Sequence, residues 1–560
     1  VLWRRGGGTN LPPNRSVPSL VLEDSCLEQV QPVRQSYSLG ESRMKPLSEL
    51  LQGIGLRWTL HRDASIRGIQ VDSRRVQQGD LFVALTGAHH DGHHFLSDAL
   101  ARGAAALLVS NTDAVPPDTP AWAWVENTRD ALWRIAQRFY DDPSRQLLVV
   151  GVTGTNGKTT TTYLMRAIFE AAGLPCALIG TLGAQLPCSP TLSPLPNGSE
   201  PSDSTESLYT GLTTPETFEI QAILKQAVER GARAAVMEVS SHALDQRRAD
   251  GVRFDAAIFT NLTQDHLDYH PTMEAYAQAK LRLFTELARQ SGKLFRAIIN
   301  LDAEWGAWFA ERAEGDLWTY GTHPHARVRA EQIQLNKDGI QFMVHIADGE
   351  PSLQPTRFPV QIRLSAPHNV QNTLGAVAAA LSLRLPVEAI QQGLLRVERV
   401  PGRFERVPID APFEVIVDYA HTPDALARLL QAARMLQPSR LTLLFGCGGD
   451  RDPTKRPKMG TIAAELADRV ILTSDNPRTE PPERILQQIL EGIPAEWRHK
   501  VVAVEPDRRT AIALALQEAV PGEIILLAGK GHEEYQIIGT VKFPFSDRQT
   551  VLELIGAKRA

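Results

Sequence analysis

Residues 147 to 161 read LLVVGVTGTNGKTTT. The opening LLVVGV has the length and unbroken apolarity of a strand buried on both faces of a parallel sheet. It runs straight into a glycine-rich turn, and a helix is expected from Lys158 onward. Backbone N–H groups of such a turn, together with the helix N-terminus, form a cradle for phosphates, with Lys158 on the terminal ones and the Thr159 hydroxyl on Mg²⁺. The stretch departs from the general GxxxxGK[ST] pattern at one place: Val152 holds the first glycine position and Gly151 lies one residue earlier. A structural turn without nucleotide is the alternative.

Working outward, AAVMEVS (234–240) and AAIFTNL (256–262) read as further parallel strands beside the loop strand,. Upstream, DLFVALTG (80–87), AAALLVS (104–110) and AWAWVENT (121–128) are short apolar strands expected to be separated by helical segments, a small α/β unit. Downstream, FEVIVDYA, RLTLLFGCGG, RVILTSDN, KVVAVEPD and EIILLAGKG alternate with helical sequence between residues 413 and 531, the pattern of a doubly wound, Rossmann-like sheet,. The expected organisation is therefore an α/β chain of three domains: 44–146, a central phosphate-loop domain over 147–396, and a C-terminal doubly wound domain over 397–560. Residues 1–43, with GGG, PP and no apolar segment of the kind a secretory signal needs, are expected to be disordered or a spurious extension, with the helix-like MKPLSELLQG opening at Met44,. The Ser-, Pro- and Thr-rich stretch 186–212 is expected to be a surface insertion,. In each C-terminal run the polar cluster follows a strand end, where open α/β sheets bind ligands, so the motifs are expected to converge on one crevice.

The composition excludes several classes. A formal charge of -5 over 560 residues, with no block of like charges, offers no footprint for nucleic acid or an anionic membrane surface,. No apolar run approaches a membrane span. Four cysteines (Cys26, Cys176, Cys188, Cys447) without a CxxC pair point to reduced cytosol,. A cytoplasmic enzyme acting on small molecules, and a monomer, is the expectation.

Other motifs carry chemistry. MEVSSHALDQRR puts Glu238 at a strand end, and NLTQDHLDYH is expected to put His266 at the end of the next. That spacing can bring a carboxylate and an imidazole to one metal near the phosphate loop,; a hydrogen-bonded rim without metal is the alternative. YAQAKLRLF (276–284) reads as an ordinary amphipathic helix on which Lys280 would be a solvated lysine. VDYAHTPDAL puts Asp418 and His421 at a strand end. GCGGDRD, SDNPR and AGKGHEEYQ together offer acids for an ammonium group and guanidinium forks for a carboxylate, the needs of an amino-acid end,.

GTNGKT resembles the form this loop takes in the Mur ligase family, the amide-forming enzymes that build the peptidoglycan stem peptide, and the resemblance runs from Met44 to the C-terminus. Within the family the motifs are most similar to the enzymes that add the third residue of the stem. The resemblance implies ATP-dependent joining of meso-diaminopimelate to UDP-N-acetylmuramoyl-L-alanyl-D-glutamate through an acyl phosphate, with ATP as co-substrate and Mg²⁺ as cofactor. It implies that Gly154, Thr155, Asn156, Gly157, Lys158, Thr159 and Thr160 hold the nucleotide, with Lys158, His266 and Lys280 catalytic. Glu238, His266 and Thr159 would hold metal, together with Lys280 as a carbamate formed with CO₂; the neutral amine this requires is a desolvated one. HNVQN, VPGRFE and VDYAHTPDAL resemble nucleotide-contacting segments, giving Asn369, Asn372, Arg403 and Asp418. For the first three, hinge hydrogen bonds are as compatible as direct contact. Ala366 stands where related enzymes tend to carry glycine. Ser73, with Arg74 beside it, resembles the uridine segment, and Thr213, Thr214, Ser240, Gln246 and Arg248 resemble contacts to the muramoyl dipeptide. Arg451, Asp475, Asn476, Pro477, Arg478, Gly529 and Glu533 match the diaminopimelate set. A folate or cyanophycin-type polyamide ligase, which would keep the loop but not DNPR, and a P-loop ATPase without an amino-acid substrate are the competing readings.

Overall fold

The structure, a computed structural model, describes residues 44–87, 91–187, 207–208, 211–267, 269–336, 339–347 and 356–557. The extension expected over 1–43 and most of the insertion expected over 186–212 lie outside these. Three sheets organise the described chain.

The first has five strands in the order Trp58–Arg62, Trp122–Val125, Ala106–Val109, Asp80–Val83 and Gly68–Gln70. All pair parallel except Trp58–Arg62. Two sequence expectations need correction here. The connection from Val109 to Trp122 holds no α-helix, only a 3-10 turn at Thr112–Ala114, because Pro116, Pro117 and Pro120 lack the N–H groups a helix interior needs,. The first helix starts at Leu47 rather than Met44; Lys45 and Pro46 pair instead as a short strand with Ser65 and Ile66.

The central sheet has eleven strands, and the loop strand, Leu148–Thr153, lies in its interior between Ala234–Glu238 and Ala256–Phe259, parallel to both. Helices Lys158–Ala171, Asn369–Ser382 and Val387–Arg396 cover one face, burying Leu164, Ile168, Phe169, Leu374, Val377 and Leu394 against Val150 and Val152. Full burial of each such side chain contributes about 1.5–3 kcal/mol before entropy is counted. Beyond Asp316–Gly321 the sheet turns into an antiparallel meander, Val328–Asn336, Gly339–Ile346 and Arg357–Ile362. In its last strand Phe358, Val360 and Ile362 are buried while the residues between them are exposed, the period of two that a one-sided sheet requires,.

The third sheet has six strands, with Ile524–Ala528 inserted between Glu414–Asp418 and Leu441–Phe445 and parallel to both. Apolar clusters cover both faces, as a doubly wound sheet demands. Beside its strand ends Arg508 and Asp547, both with fully buried side chains, pair through two bonds of 2.7 Å. Arg508 also donates to the carbonyls of Ser474 and Ala528. Removing one partner of such a pair costs about 3–5 kcal/mol, and here the pair ties the C-terminal helix to two strand ends that carry site residues. Cys176 and Cys447 are free and buried. No helix among the described residues is long and apolar enough to cross a membrane.

Candidate active site

The phosphate loop owes its shape to two glycines with positive φ. Gly154 (φ +148) and Gly157 (φ +87) pass so close to neighbours that a Cβ would lie 1.9 Å from Thr260 Oγ1 and 2.2 Å from Asn372 Oδ1. Val152 needs no such freedom, since it is still in the strand and fully buried. Asn261 braces the loop, its carbonyl accepting from Thr155 N and its Oδ1 from Asn156 N, both at 2.9 Å. Lys158 Nζ folds back to donate to the carbonyls of Gly154 and Thr155. Burial lowers its pKa from the ordinary lysine range, against the opposing pull of Glu238.

This loop forms one wall of a cavity of about 690 Å³. Thr155 to Thr160, Thr181, Thr213, Glu238, His266 and Asn372 line it from the central sheet and its helices, and Arg403, Asp418 and His421 from the hinge and the third sheet. Arg403 Nη2 donates to Thr159 Oγ1 at 3.2 Å, so it reaches the loop itself. Asn369 does not line the cavity; its Oδ1 accepts from Asn372 Nδ2 and steadies that side chain. Asp418 accepts from the N–H groups of Phe404 and Ala420, and burial raises its pKa while Arg403 opposes the rise.

Glu238 ends its strand as expected and accepts from Thr181 N and Oγ1. His266 departs from expectation. It lies beyond the strand Ala256–Phe259, in a loop, with φ +57, so the loop rather than the sheet aims its ring at the cavity. Desolvation lowers the imidazole pKa to about 4 despite Asp265 beside it, which leaves a neutral ring able to bind a cation. Among the described residues no three His, Cys, Asp or Glu side chains form a ready metal cluster. A carboxylate, an imidazole and the Thr159 hydroxyl on one cavity wall nevertheless suit Mg²⁺, which keeps several waters and takes phosphate oxygens.

Lys280 overturns the expectation of a solvated side chain. It is 1% exposed, on the face of helix Met273–Leu281 that also buries Tyr276, Ala277 and Leu281. Its Nζ donates to the Gly154 carbonyl at 2.9 Å and stands 4.6 Å from the Tyr276 ring centroid. Burial, with Lys158 adding repulsion, pushes its pKa well below the ordinary value. Tyr276 Oη in turn meets Thr155 Oγ1 at 3.2 Å.

The expected convergence is seen for Asp418 and His421, which line this cavity with the phosphate loop, while other expected site residues gather outside its lining. Thr214, Ser240 and Arg248 form a polar cluster behind Glu238: Thr214 Oγ1 donates to the Glu238 carbonyl, Ser240 N donates to Thr214 Oγ1, and Arg248 donates to the Thr214 carbonyl. Gln246 donates to Tyr269 Oη. Ser73 is buried in the first sheet's turn at Ser73–Arg75, where Arg74 pairs with Asp72. None of these five outer residues, Ser73, Thr214, Ser240, Gln246 or Arg248, lines the cavity. The third-sheet set gathers separately. Glu533 Oε2 accepts from Asn476 Nδ2 at 2.8 Å, Asp475 stands against Gly529 (φ +108), and Pro477 packs its carbonyl against Gly449. Arg478 Nη1 donates to the Gly449 carbonyl. Arg451 is exposed and donates to the Asp450 carbonyl. Of the third sheet's strand ends, the one that closes Glu414–Asp418 reaches the cavity, with Asp418 and His421, while those carrying Asp475 and Gly529 do not line it.

Two residues escaped the sequence reading. Asp424, in the first turn of helix Pro423–Arg434, accepts from Asn156 Nδ2 and Thr263 Oγ1 and so links the third sheet to the phosphate loop. Lys530 is fully buried beside Asn476 and Glu533. The charge inside the glycine pair of GKGHE was the available signal for the second; nothing local marked the first.

A phosphate loop on a parallel sheet, hinged to a doubly wound sheet with its own polar strand ends, defines a nucleotide-dependent ligase architecture. The family descriptions for the Mur ligase catalytic domain (residues 65–140), the Mur ligase middle domain (152–380) and the Mur ligase glutamate ligase domain (402–531) all match. The chain belongs to the Mur ligase family. It is 45% identical over 516 residues, 92% of this chain and 99% of the relative, to the UDP-N-acetylmuramoyl-L-alanyl-D-glutamate--2,6-diaminopimelate ligase of Gloeobacter violaceus. It is 44% identical to the enzyme of the same name from Geobacter metallireducens, over 87% of this chain and 93% of that one. A solved structure of a ligase of that name is 33% identical and superposes with a TM-score of 0.58 over 89% of this chain and 96% of its own.

Proposed function

We propose that the chain joins meso-2,6-diaminopimelate to the D-glutamyl carboxylate of UDP-N-acetylmuramoyl-L-alanyl-D-glutamate at the expense of ATP. The observation that carries this reading is the cavity shared between two sheets. The phosphate loop forms one wall, while Arg403, Asp418 and His421 of the hinge and third sheet form the other. A carboxylate activated by phosphoryl transfer on the first wall thus meets an amine delivered from the second. Relatives named for this reaction, at 45% and 44% identity, support the choice of substrates. In domain terms, 44–146 binds the uridine end through Ser73, 147–396 binds ATP, and 397–560 brings the amino acid; Thr213, Thr214, Ser240, Gln246 and Arg248 hold the muramoyl dipeptide.

The D-glutamyl carboxylate attacks the γ-phosphorus and ADP leaves; the amine then attacks the acyl carbon, phosphate leaves and a proton is lost. Lys158 supplies a point charge to the phosphoryl group in transfer, and loop N–H groups orient it, the electrostatic and positional work that dominates such chemistry. Thr159, Glu238 and His266 would hold Mg²⁺, which neutralises phosphate charge. Arg403 draws the hinge onto Thr159, and Asn372, steadied by Asn369, closes over Gly157. Arg451, Asp475, Asn476, Pro477, Arg478, Gly529 and Glu533 seat the amino acid. The test is ADP release from the purified chain with each substrate omitted in turn. Turnover needing all three fits; turnover without the amino acid contradicts.

Lys280 extends the reading. Its desolvated amine is nucleophilic toward CO₂: the nitrogen lone pair forms the N–C bond, and one proton leaves to give a carbamate anion beneath the loop. Lys280→Ala should lose activity and regain part of it with formate or acetate, and ¹³C-bicarbonate should give a carbamate signal in the wild type alone. A plain Lys280 amine by mass in fully active enzyme would count against it.

A further inference from the structure

Lys530 lies outside the phosphate-transfer cavity, and the mechanism above gives it no part. It is 0% exposed. A buried ammonium is costly, several kcal/mol in desolvation alone, so its surroundings must compensate. They are three residues assigned above to the amino acid. Nζ donates to Glu533 Oε2 at 3.1 Å and to Asn476 Oδ1 at 3.3 Å, and stands 3.8 Å from Asp475 Oδ1. That Asp475 oxygen is buried and has no hydrogen-bond partner. Asn476 Nδ2 donates to the same Glu533 oxygen, closing a ring of contacts around the amine.

The loop itself is fixed. Gly529 (φ +108) and Gly531 (φ +53) flank the lysine, and a Cβ on Gly531 would lie 2.7 Å from Tyr419 Cβ. From below, Arg508 binds the carbonyls of Ser474 and Ala528, the residues just before Asp475 and Gly529. Both strand ends are therefore held at the backbone, and Lys530, together with the Asn476–Glu533 bond, joins them at the side-chain level.

We propose that Lys530 is a positioning residue for the amino-acid substrate. It cancels one of the two carboxylate charges of Asp475 and Glu533 and fixes Asn476 between them. The pocket is left one net acceptor for one substrate ammonium, with Arg478 left for the carboxylate. Two uncompensated acids would draw a bare ammonium as readily as a zwitterionic end, so the lysine sets selectivity as well as geometry. This rests on the proposed function, and wild-type turnover that depends on diaminopimelate tests that reading by itself.

The test of Lys530 uses the full-length enzyme and separates KM values. Lys530→Met, which keeps the stem and removes the charge, should raise KM for diaminopimelate about thirtyfold or more. Its KM for ATP and for the UDP-dipeptide should stay within about twofold, and kcat should fall less than about fivefold. Glu533→Gln should show the same pattern, and the double variant should be within about threefold of the worse single one, because both changes break one shared contact. An unchanged KM for diaminopimelate, a uniform loss across all three substrates, or losses that multiply in the double variant would overturn the proposal. If Lys530→Met does not melt cooperatively, Lys530→Arg decides by the same split: it keeps the cation but displaces it, so KM for diaminopimelate alone should rise.

Discussion

Replacing Lys158 by alanine is expected to remove nearly all turnover while leaving the protein folded. Its ammonium is the one lysine charge within the phosphate loop, held by the carbonyls of Gly154 and Thr155 at 3.0 and 2.9 Å. Burial makes that charge strongly felt, since charges act across low dielectric far more than in water. Arginine cannot replace it, because a planar fork does not fit where a compact point charge is needed. The fold should survive: the helix it opens is anchored by Leu164, Met165, Ile168 and Phe169, all fully buried. The check is kcat beside a thermal melt. A folded variant keeping more than about a tenth of wild-type kcat, a barrier change of only about 1.4 kcal/mol, would refute the role given to Lys158.

Arg478→Ala should lose at least about a hundredfold in kcat/KM for diaminopimelate and little for L-lysine, the size expected when a charged, partly desolvated partner is removed. The two amino acids have similar reach, but only diaminopimelate ends in a second carboxylate. Arg478 has φ +52, a conformation costing a non-glycine residue about 1–2 kcal/mol. It is held there by its N–H on the Ile537 carbonyl and its own carbonyl accepting from Gly539 N. The turn is thus pinned to the hairpin Tyr535–Ile538 and Val541–Pro544. Its guanidinium spends Nη1 on the Gly449 carbonyl. The nearby acid that might have captured it is already taken: Glu480 is bound by Arg456 and by Asp450 N, and Arg456 holds its carboxyl down at about 2. Among the described residues Arg478 makes no ion pair, so its remaining donors are available for a substrate carboxylate. Comparing kcat/KM for the two amino acids in wild type and variant is the measurement. Equal losses on both, or a wild type that prefers lysine, would assign selectivity elsewhere.

The phosphate loop, its parallel neighbours and the doubly wound third sheet were legible because each is written in contiguous residues: an apolar run, a glycine turn, a polar cluster. What local pattern could not show is what the chain packs against. Helix Met273–Leu281 carries Ala on several sides, so its sequence does not reveal that Lys280 points under Gly154. His266 was expected at a strand end because the count of residues is short, but the strand stops at Phe259 and a loop with φ +57 does the aiming. The meander Val328–Asn336, Gly339–Ile346 and Arg357–Ile362 went unread, although the alternation of its last strand is a strand signal in itself,. Asp424 matters through Asn156, 268 residues away, a separation no window on the sequence spans; Lys530 pairs with the nearby Glu533 but also with Asn476, 54 residues away. The prolines at 116, 117 and 120, by contrast, were present to be read, and they exclude the helix expected there.

The most direct measurement is the product itself. The purified chain, given UDP-N-acetylmuramoyl-L-alanyl-D-glutamate, meso-diaminopimelate and ATP, should yield one ADP and one phosphate per molecule of UDP-muramoyl tripeptide. Its mass should equal the sum of the two acceptor substrates less one water, and fragmentation should show the new amide on the D-glutamyl residue. ADP and phosphate formed without that tripeptide, or the tripeptide formed equally well with L-lysine in place of diaminopimelate, would contradict the account.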